Sequence, residues 1–171
     1  MLTRMGCPFR QIPSEIEEVV DPSLSPDRLV VSLARQKAED VYQKHGGTVL
    51  GVDTVVCFNG RIFGKPRSET EAAEMLATLS GNVHDVWTGY CLLGAGDPVF
   101  EAVRSAVKFR KLTAEEIASY IATGAPMDKA GAYGVQDSDT PVEGVTGSLT
   151  NVMGLPTERL KKVFEEKRLW E

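Results

Sequence analysis

The chain of 171 residues carries 19 lysines and arginines against 24 aspartates and glutamates, a formal net charge of −5. At 42% hydrophobic and 25% charged it has an ordinary globular composition, which excludes disorder, collagen and coiled coil. The acidic balance argues against a nucleic-acid footprint, no apolar run reaches the roughly 18–20 residues of a membrane span, and the first twenty residues hold no signal-peptide core.

A chain of this length buries roughly 70% of the surface its unfolded form exposes, so residues 1–171 are expected to form one domain. Ser25-Pro26-Asp27 marks a helix start, with a capping hydroxyl, proline at the first helical position and an acid in the first turn. The helix runs to His45, stopped by Gly46-Gly47, with Val30, Leu33, Ala34 and Val41 as its apolar stripe. Lys37 falls on that same stripe. Residues 48–58, TVLGVDTVVCF, form an apolar run too β-branched for a helix. Asn59-Gly60 then turns the chain, so 61–63 should pair back on it.

Ser68 and Glu71 bracket a capping box that opens a helix, its inner face Ala72, Met75, Leu76 and Leu79, closed by Gly81. Residues 83–93 and 99–109 read as strands joined through GAGDP, and the second alternates with Val99, Val103, Val107 and Phe109 on one face. Thr113 to Glu116 is a second capping box, for a helix through Ile117, Tyr120 and Ile121 to Gly124. The glycine-rich stretch 124–154 promises a strand or two. Pro156 opens a last helix with Leu160, Val163 and Phe164 inward. The expected class is α/β, with a mixed twisted sheet and flanking helices.

Cys7, Cys57 and Cys91 are odd in number and widely spaced, and neither His45 nor His84 stands at zinc-ligand spacing from them. They read as reduced thiols of a cytoplasmic protein. Gly94-Ala95-Gly96 lacks the third glycine of a dinucleotide fingerprint, and no Walker A, H-E-x-x-H or G-x-S-x-G occurs.

Asp53 breaks a strand that is apolar on both sides. A buried carboxylate without compensation costs several kcal/mol, so it must be paired, protonated or lining a cavity. A strand-end acid accepting backbone N–H bonds is the bland alternative. Lys37 breaks its stripe similarly, and a snorkelling stem would explain it without chemistry. Gly64-Lys65-Pro66 suits a phosphate, or is a solvated loop. Glu17-Glu18 lies in an acidic irregular segment. In residues 128–136, DKAGAYGVQ, small residues surround Asp128, Lys129 and Gln136, so backbone can approach a ligand closely. Two carboxylates, three lysines and an amide-bearing loop together describe a site for an anion and a hard divalent ion. With no plausible Ser, Cys or His nucleophile, such a site suits phosphoanhydride hydrolysis by direct attack of water.

The segments LARQKA (33–38), GVDTVV (51–56), GKP (64–66), LSGNVHDVWTG (79–89), YIATGAPMDKAGAYGVQ (120–136) and NVMGLP (151–156) resemble the Maf family of nucleoside triphosphate pyrophosphatases, in order and spacing. The resemblance implies an elongated two-lobed fold with a central cleft, a homodimer, and Mg²⁺- or Mn²⁺-assisted conversion of a nucleoside triphosphate to monophosphate and pyrophosphate. It places the proton acceptor at Asp53 and matches Glu18, Lys37, Lys65 and Gln136 to other polar site positions. Catalysis is thereby expected from Asp53, Lys37, Lys65 and Glu18, metal binding from Glu18 and Asp53, and substrate contacts from Thr54, Gln136 and Lys129. Thr54 and Gln136 match the branch acting on dTTP and UTP. Both side chains can donate and accept, a capacity suited to a pyrimidine's carbonyl and N–H edge.

Two departures accompany the resemblance. The family's N-terminal strand and S-x-S-P-R-R loop have no counterpart before Gly6-Cys7-Pro8-Phe9, which should bare a sheet edge or leave a groove. Residues 137–148, DSDTPVEGVTGS, replace a glycine- and apolar-rich stretch and bring Asp137 and Asp139 near the phosphate path. The alternative function is a truncated, catalytically weak nucleotide-binding or division-regulating module.

Overall fold

A computed structural model describes residues 1–169. After a 3-10 turn at Leu2–Met5, the chain forms α1 (Pro26–His45), β1 (Val49–Phe58), β2 (Arg61–Phe63), α2 (Glu69–Leu79), β3 (Val83–Leu93), β4 (Val99–Phe109), α3 (Ala114–Ala122), β5 (Val142–Thr146), α4 (Leu149–Val152) and α5 (Thr157–Glu166).

The five strands lie in the order β2-β1-β3-β4-β5, and each described neighbour pair is antiparallel. The α/β class holds, but the expected mixture of strand directions does not occur between neighbours. The reason lies in the connections. Asn59 (φ 49°) and Gly60 (φ 75°) make the left-handed turn that folds β2 back on β1. The α2 crossover then joins β2 to β3, which run parallel to each other but stand on opposite sides of β1.

The helices form for local reasons that the sequence displays. At α3 the Thr113 hydroxyl accepts from the Glu116 N–H while the Glu116 carboxylate accepts from the Thr113 N–H, a complete capping box. At α2 the Ser68 hydroxyl caps Glu71, but the Glu71 carboxylate accepts instead from the Arg67 N–H. Ser25 occupies the N-cap of α1 without capping it through its side chain. Each apolar face expected of α2, α3 and α5 is the buried face.

Two layers flank the sheet. On one face Ala34 and Ala38 of α1 pack with Cys91 and Leu93. On the other, Val56, Val86 and Val107 pack under α2 and α3, while Tyr90 and Leu92 pack under Leu160, Val163 and Phe164 of α5. The approach of α1 is set by two strand glycines. A Cβ at Gly51 would lie 2.2 Å from the Ala34 carbonyl oxygen, and one at Gly89 would lie 2.5 Å from the backbone of Val30. Only glycine lets the helix settle there.

Only Val56 to Phe58 of β1 pair with β2, so the edge from Val49 to Val55 has no strand beside it among the described residues. A groove of about 710 Å³ runs there, bordered by residues 7–14, Thr48–Val52 and Phe164. No described helix is long and apolar enough to cross a membrane, and all three cysteines are free thiols.

Candidate active site

Beside the open end of that edge lies a cleft of about 840 Å³, and all seven expected site residues line it: Glu18, Lys37, Asp53, Thr54, Lys65, Lys129 and Gln136. The pleat of β1 divides the work. Asp53 shares the α1 face with Gly51, whereas Thr54 shares the other with Val52 and Val56. The cleft wraps around the strand edge and reaches both.

On the α1 face, Gly89 stands directly across from Asp53 in the ladder. The helix therefore lies close enough for Lys37 to reach the acid, its ammonium 2.5 Å from Asp53 Oδ1 and 3.1 Å from Glu18 Oε1. The side chains of Asp53, Lys37 and Glu18 are 12%, 27% and 38% exposed, a gradient from strand to solvent. Glu18 is held by a strap that the sequence did not reveal. The Gln36 amide accepts from the Val19 N–H at 2.9 Å and donates to the Val19 carbonyl at 3.0 Å. Asp40 accepts from the Ser14 hydroxyl and the Glu15 N–H. Residues 14–19 are thereby laid along α1.

Burial is the largest influence on both partners of the central pair. It raises the Asp53 carboxyl above the usual carboxylate range, a rise that Lys37 opposes and Glu18 assists. For Lys37 burial acts downward, but hydrogen bonds and attraction from Asp53 and then Glu18 prevail and raise it.

Lys65 makes no hydrogen bond or ion pair among the described residues, although its charge acts on Asp53. Lys129 is committed differently: its ammonium donates to the Ala125 carbonyl at 2.5 Å and to Asp128 at 2.8 Å. The loop carrying it is fastened at several points. The Gly131 N–H donates to the Gly64 carbonyl at 3.1 Å, joining this loop to the Gly64-Lys65-Pro66 turn. Gly131 (φ 72°) and Ala132 (φ 61°) are both left-handed, a strain that the alanine tolerates because Ala132 is fully buried.

Tyr133 stacks edge-on with His84 and Phe109, and its hydroxyl lies 2.8 Å from His84 Nε2. Burial depresses His84 to about 4, so it is neutral near pH 7, and it packs behind the cleft without lining it. The Tyr120 hydroxyl donates to Asp137 at 2.5 Å and accepts from the Gly134 N–H at 3.0 Å. Asp137 thus lines the cleft with its carboxylate tethered to Tyr120, whereas Asp139 borders a separate pocket beside α3. The Gln136 side chain has no hydrogen bond among the described residues.

Three ammonium groups and four carboxylates line the cleft, with no arginine among them. That set cannot neutralise a polyphosphate unaided. Glu18 and Asp53, sharing one ammonium, are of the chemical type that could serve a hard divalent cation, which takes one or two carboxylates completed by waters and phosphate. No group of three His, Cys, Asp or Glu residues forms a dedicated metal cage among the described residues.

A half-buried carboxylate, a lysine bridging it to a second acid, and a further lysine with no hydrogen bond or ion pair among the described residues meet at this strand edge, a set suited to a phosphorylated ligand. The chain belongs to the Maf family: the family model described as "Maf-like protein" matches residues 1–167. Among its relatives, a dTTP/UTP pyrophosphatase of Thermococcus gammatolerans is 47% identical over 166 residues, 96% of this chain and 89% of that protein. Proteins of the same name from Thermococcus onnurineus and Desulfitobacterium hafniense are 49% and 46% identical, covering 92% and 95% of this chain and 85% and 77% of theirs.

Proposed function

We propose that this chain is a nucleoside triphosphate pyrophosphatase that hydrolyses dTTP and UTP to the monophosphate and pyrophosphate. The observation that carries the reading is the Glu18–Lys37–Asp53 chain opening on a cleft that also holds the unengaged Lys65. The activity named for its relatives supports it.

In this mechanism Asp53 accepts the proton of the water that attacks the α-phosphorus, with pyrophosphate leaving. Its raised affinity for a proton suits a base better than an ordinary carboxylate would. Lys37 holds Asp53 and Glu18 in fixed relation, and Lys65 carries its charge to the phosphates. Glu18 and Asp53 would hold a divalent cation, Mg²⁺ or Mn²⁺, which neutralises phosphate charge and acidifies water. Thr54 and Gln136 face the base, and Lys129 braces the loop that presents Gln136. The working unit is a homodimer of single-domain chains, a stoichiometry that sedimentation measures directly.

The test is incubation with Mg²⁺ and each common nucleoside triphosphate, following pyrophosphate. Release from dTTP and UTP ahead of the others is the expected outcome; release from none would overturn the reading. A second reading, nucleotide binding with weak turnover, draws on a cleft lined by lysines without an arginine. Calorimetric binding of UTP without pyrophosphate release would favour it.

A further inference from the structure

We propose that Thr88 is a positioning residue that fixes the hydrogen-bond polarity of Thr54, making it an acceptor that selects uracil and thymine over cytosine. The inference rests on the pyrimidine triphosphate reading above and goes one step into its chemistry.

Thr88 is fully buried. Its Oγ1 lies 2.9 Å from the Asn151 carbonyl oxygen and 2.9 Å from Thr54 Oγ1. Two oxygens at that separation need a proton between them, or their lone pairs repel. A carbonyl has none to give, so the single proton of the Thr88 hydroxyl points at Asn151. The contact between the two threonines must then use the proton of Thr54. Having committed its only proton inward, Thr54 offers the cleft lone pairs alone.

This polarity is built into the fold. Asn151 is itself fully buried, with its amide donating to the Val86 carbonyl at 3.2 Å and the Ser105 hydroxyl at 3.0 Å. Its backbone N–H donates to the Ser148 hydroxyl at 3.0 Å. The carbonyl that orients Thr88 therefore cannot turn away. Thr54 lines the cleft together with Gly154, where a Cβ would make only ordinary contact with Thr54 Oγ1 at 3.5 Å.

Uracil and thymine present a ring N–H at position 3, where cytosine presents a lone pair. A freely rotating hydroxyl would serve either. One that can only accept pairs with the N–H and opposes the lone pair, and an opposed pair of acceptors in a shielded site is strongly disfavoured.

The test uses the full chain with the α,β-methylene analogues of UTP and CTP, with affinities from calorimetry. The wild type is expected to bind the UTP analogue roughly tenfold or more tightly than the CTP analogue. Thr54→Val removes the acceptor, so the ratio should fall toward one; a ratio that rises would mean Thr54 donates, one that stays that Thr54 does not discriminate the bases, and either overturns the proposal. Thr88→Val frees the Thr54 hydroxyl to donate outward, so the CTP analogue should gain and the ratio fall roughly tenfold. Thr88→Ser should keep the wild-type ratio. An unchanged ratio in a folded Thr88→Val protein overturns the proposal, and if that variant does not fold, Thr54→Val decides. The expected ratios without turnover of any triphosphate would sink the pyrophosphatase reading while leaving the polarity intact. Turnover with unchanged ratios would do the reverse, and no binding of either analogue overturns both.

Discussion

On the proposed mechanism the chemistry turns on Asp53, and its setting gives it two measurable signatures. Replacing it with asparagine should lower kcat on UTP by roughly a hundredfold or more, the range a positioned base supplies, while circular dichroism shows a retained fold. In the wild type, the acid limb of kcat/KM should report its protonation. Because burial raises the Asp53 carboxyl, activity should be lost on acidification at a pH above the usual carboxylate range, and a pH–rate profile reads the inflection. His84 makes a contrasting prediction about stability. Held neutral by burial and depressed to about 4, it binds a proton more readily in the unfolded chain, near its ordinary value of 6.5. Its contribution is present above that ordinary value and lost as the pH falls toward the depressed one, about 3 kcal/mol in all. Denaturant midpoints across this window should show the loss, and His84→Gln should flatten it. Asp53 and Lys37 were legible in the sequence because each interrupts an apolar pattern. Thr88, Gln36 and Asn151 were not: a hydroxyl in a strand or an amide on a helix violates no pattern, and its partner lies far along the chain.

At the scale of elements, the decisive arrangement is a helix lying on glycines. Gly89 faces Asp53 across the ladder, and a Cβ there would press on the backbone of α1. Gly89→Ala should therefore destabilise the protein by about 2–3 kcal/mol, as overpacking against backbone does. It should also lift Lys37 from Asp53, at a penalty of roughly a hundredfold in kcat/KM. Urea midpoints and steady-state kinetics separate the two effects. Periodicity carried most of the elements. Strands 83–93 and 99–109 run where alternation and length place them, and the four apolar residues of α2 are its buried ones. The stretch 124–154 was opaque because glycine and proline set no period there. It resolves into two 3-10 turns, β5 and the short α4. Strand direction was opaque as well, since composition does not reveal which strands become neighbours across a crossover.

For the molecule as a whole, charge sets the terms. A net −5 chain whose cleft has more carboxylates than ammonium groups cannot attract a triphosphate by its own field. Its catalysis should therefore depend on added cation. EDTA treatment should abolish pyrophosphate release, and excess Mg²⁺ should restore it. Raising the salt concentration should weaken nucleotide affinity only modestly, because the charges that matter are partly shielded in the cleft.

The pleat of β1 has an evolutionary and engineering consequence. On the proposed reading, proton acceptor and base reader are consecutive residues with opposite outlooks, so deleting a single amino acid between Val49 and Val52 would exchange their sides. The acid would then face the hydroxyl ladder, and the threonine the lysine. Length changes at Asn59-Gly60, beyond the pair, carry no such inversion. An insertion scan should find β1 intolerant ahead of its acid and forgiving at its far turn.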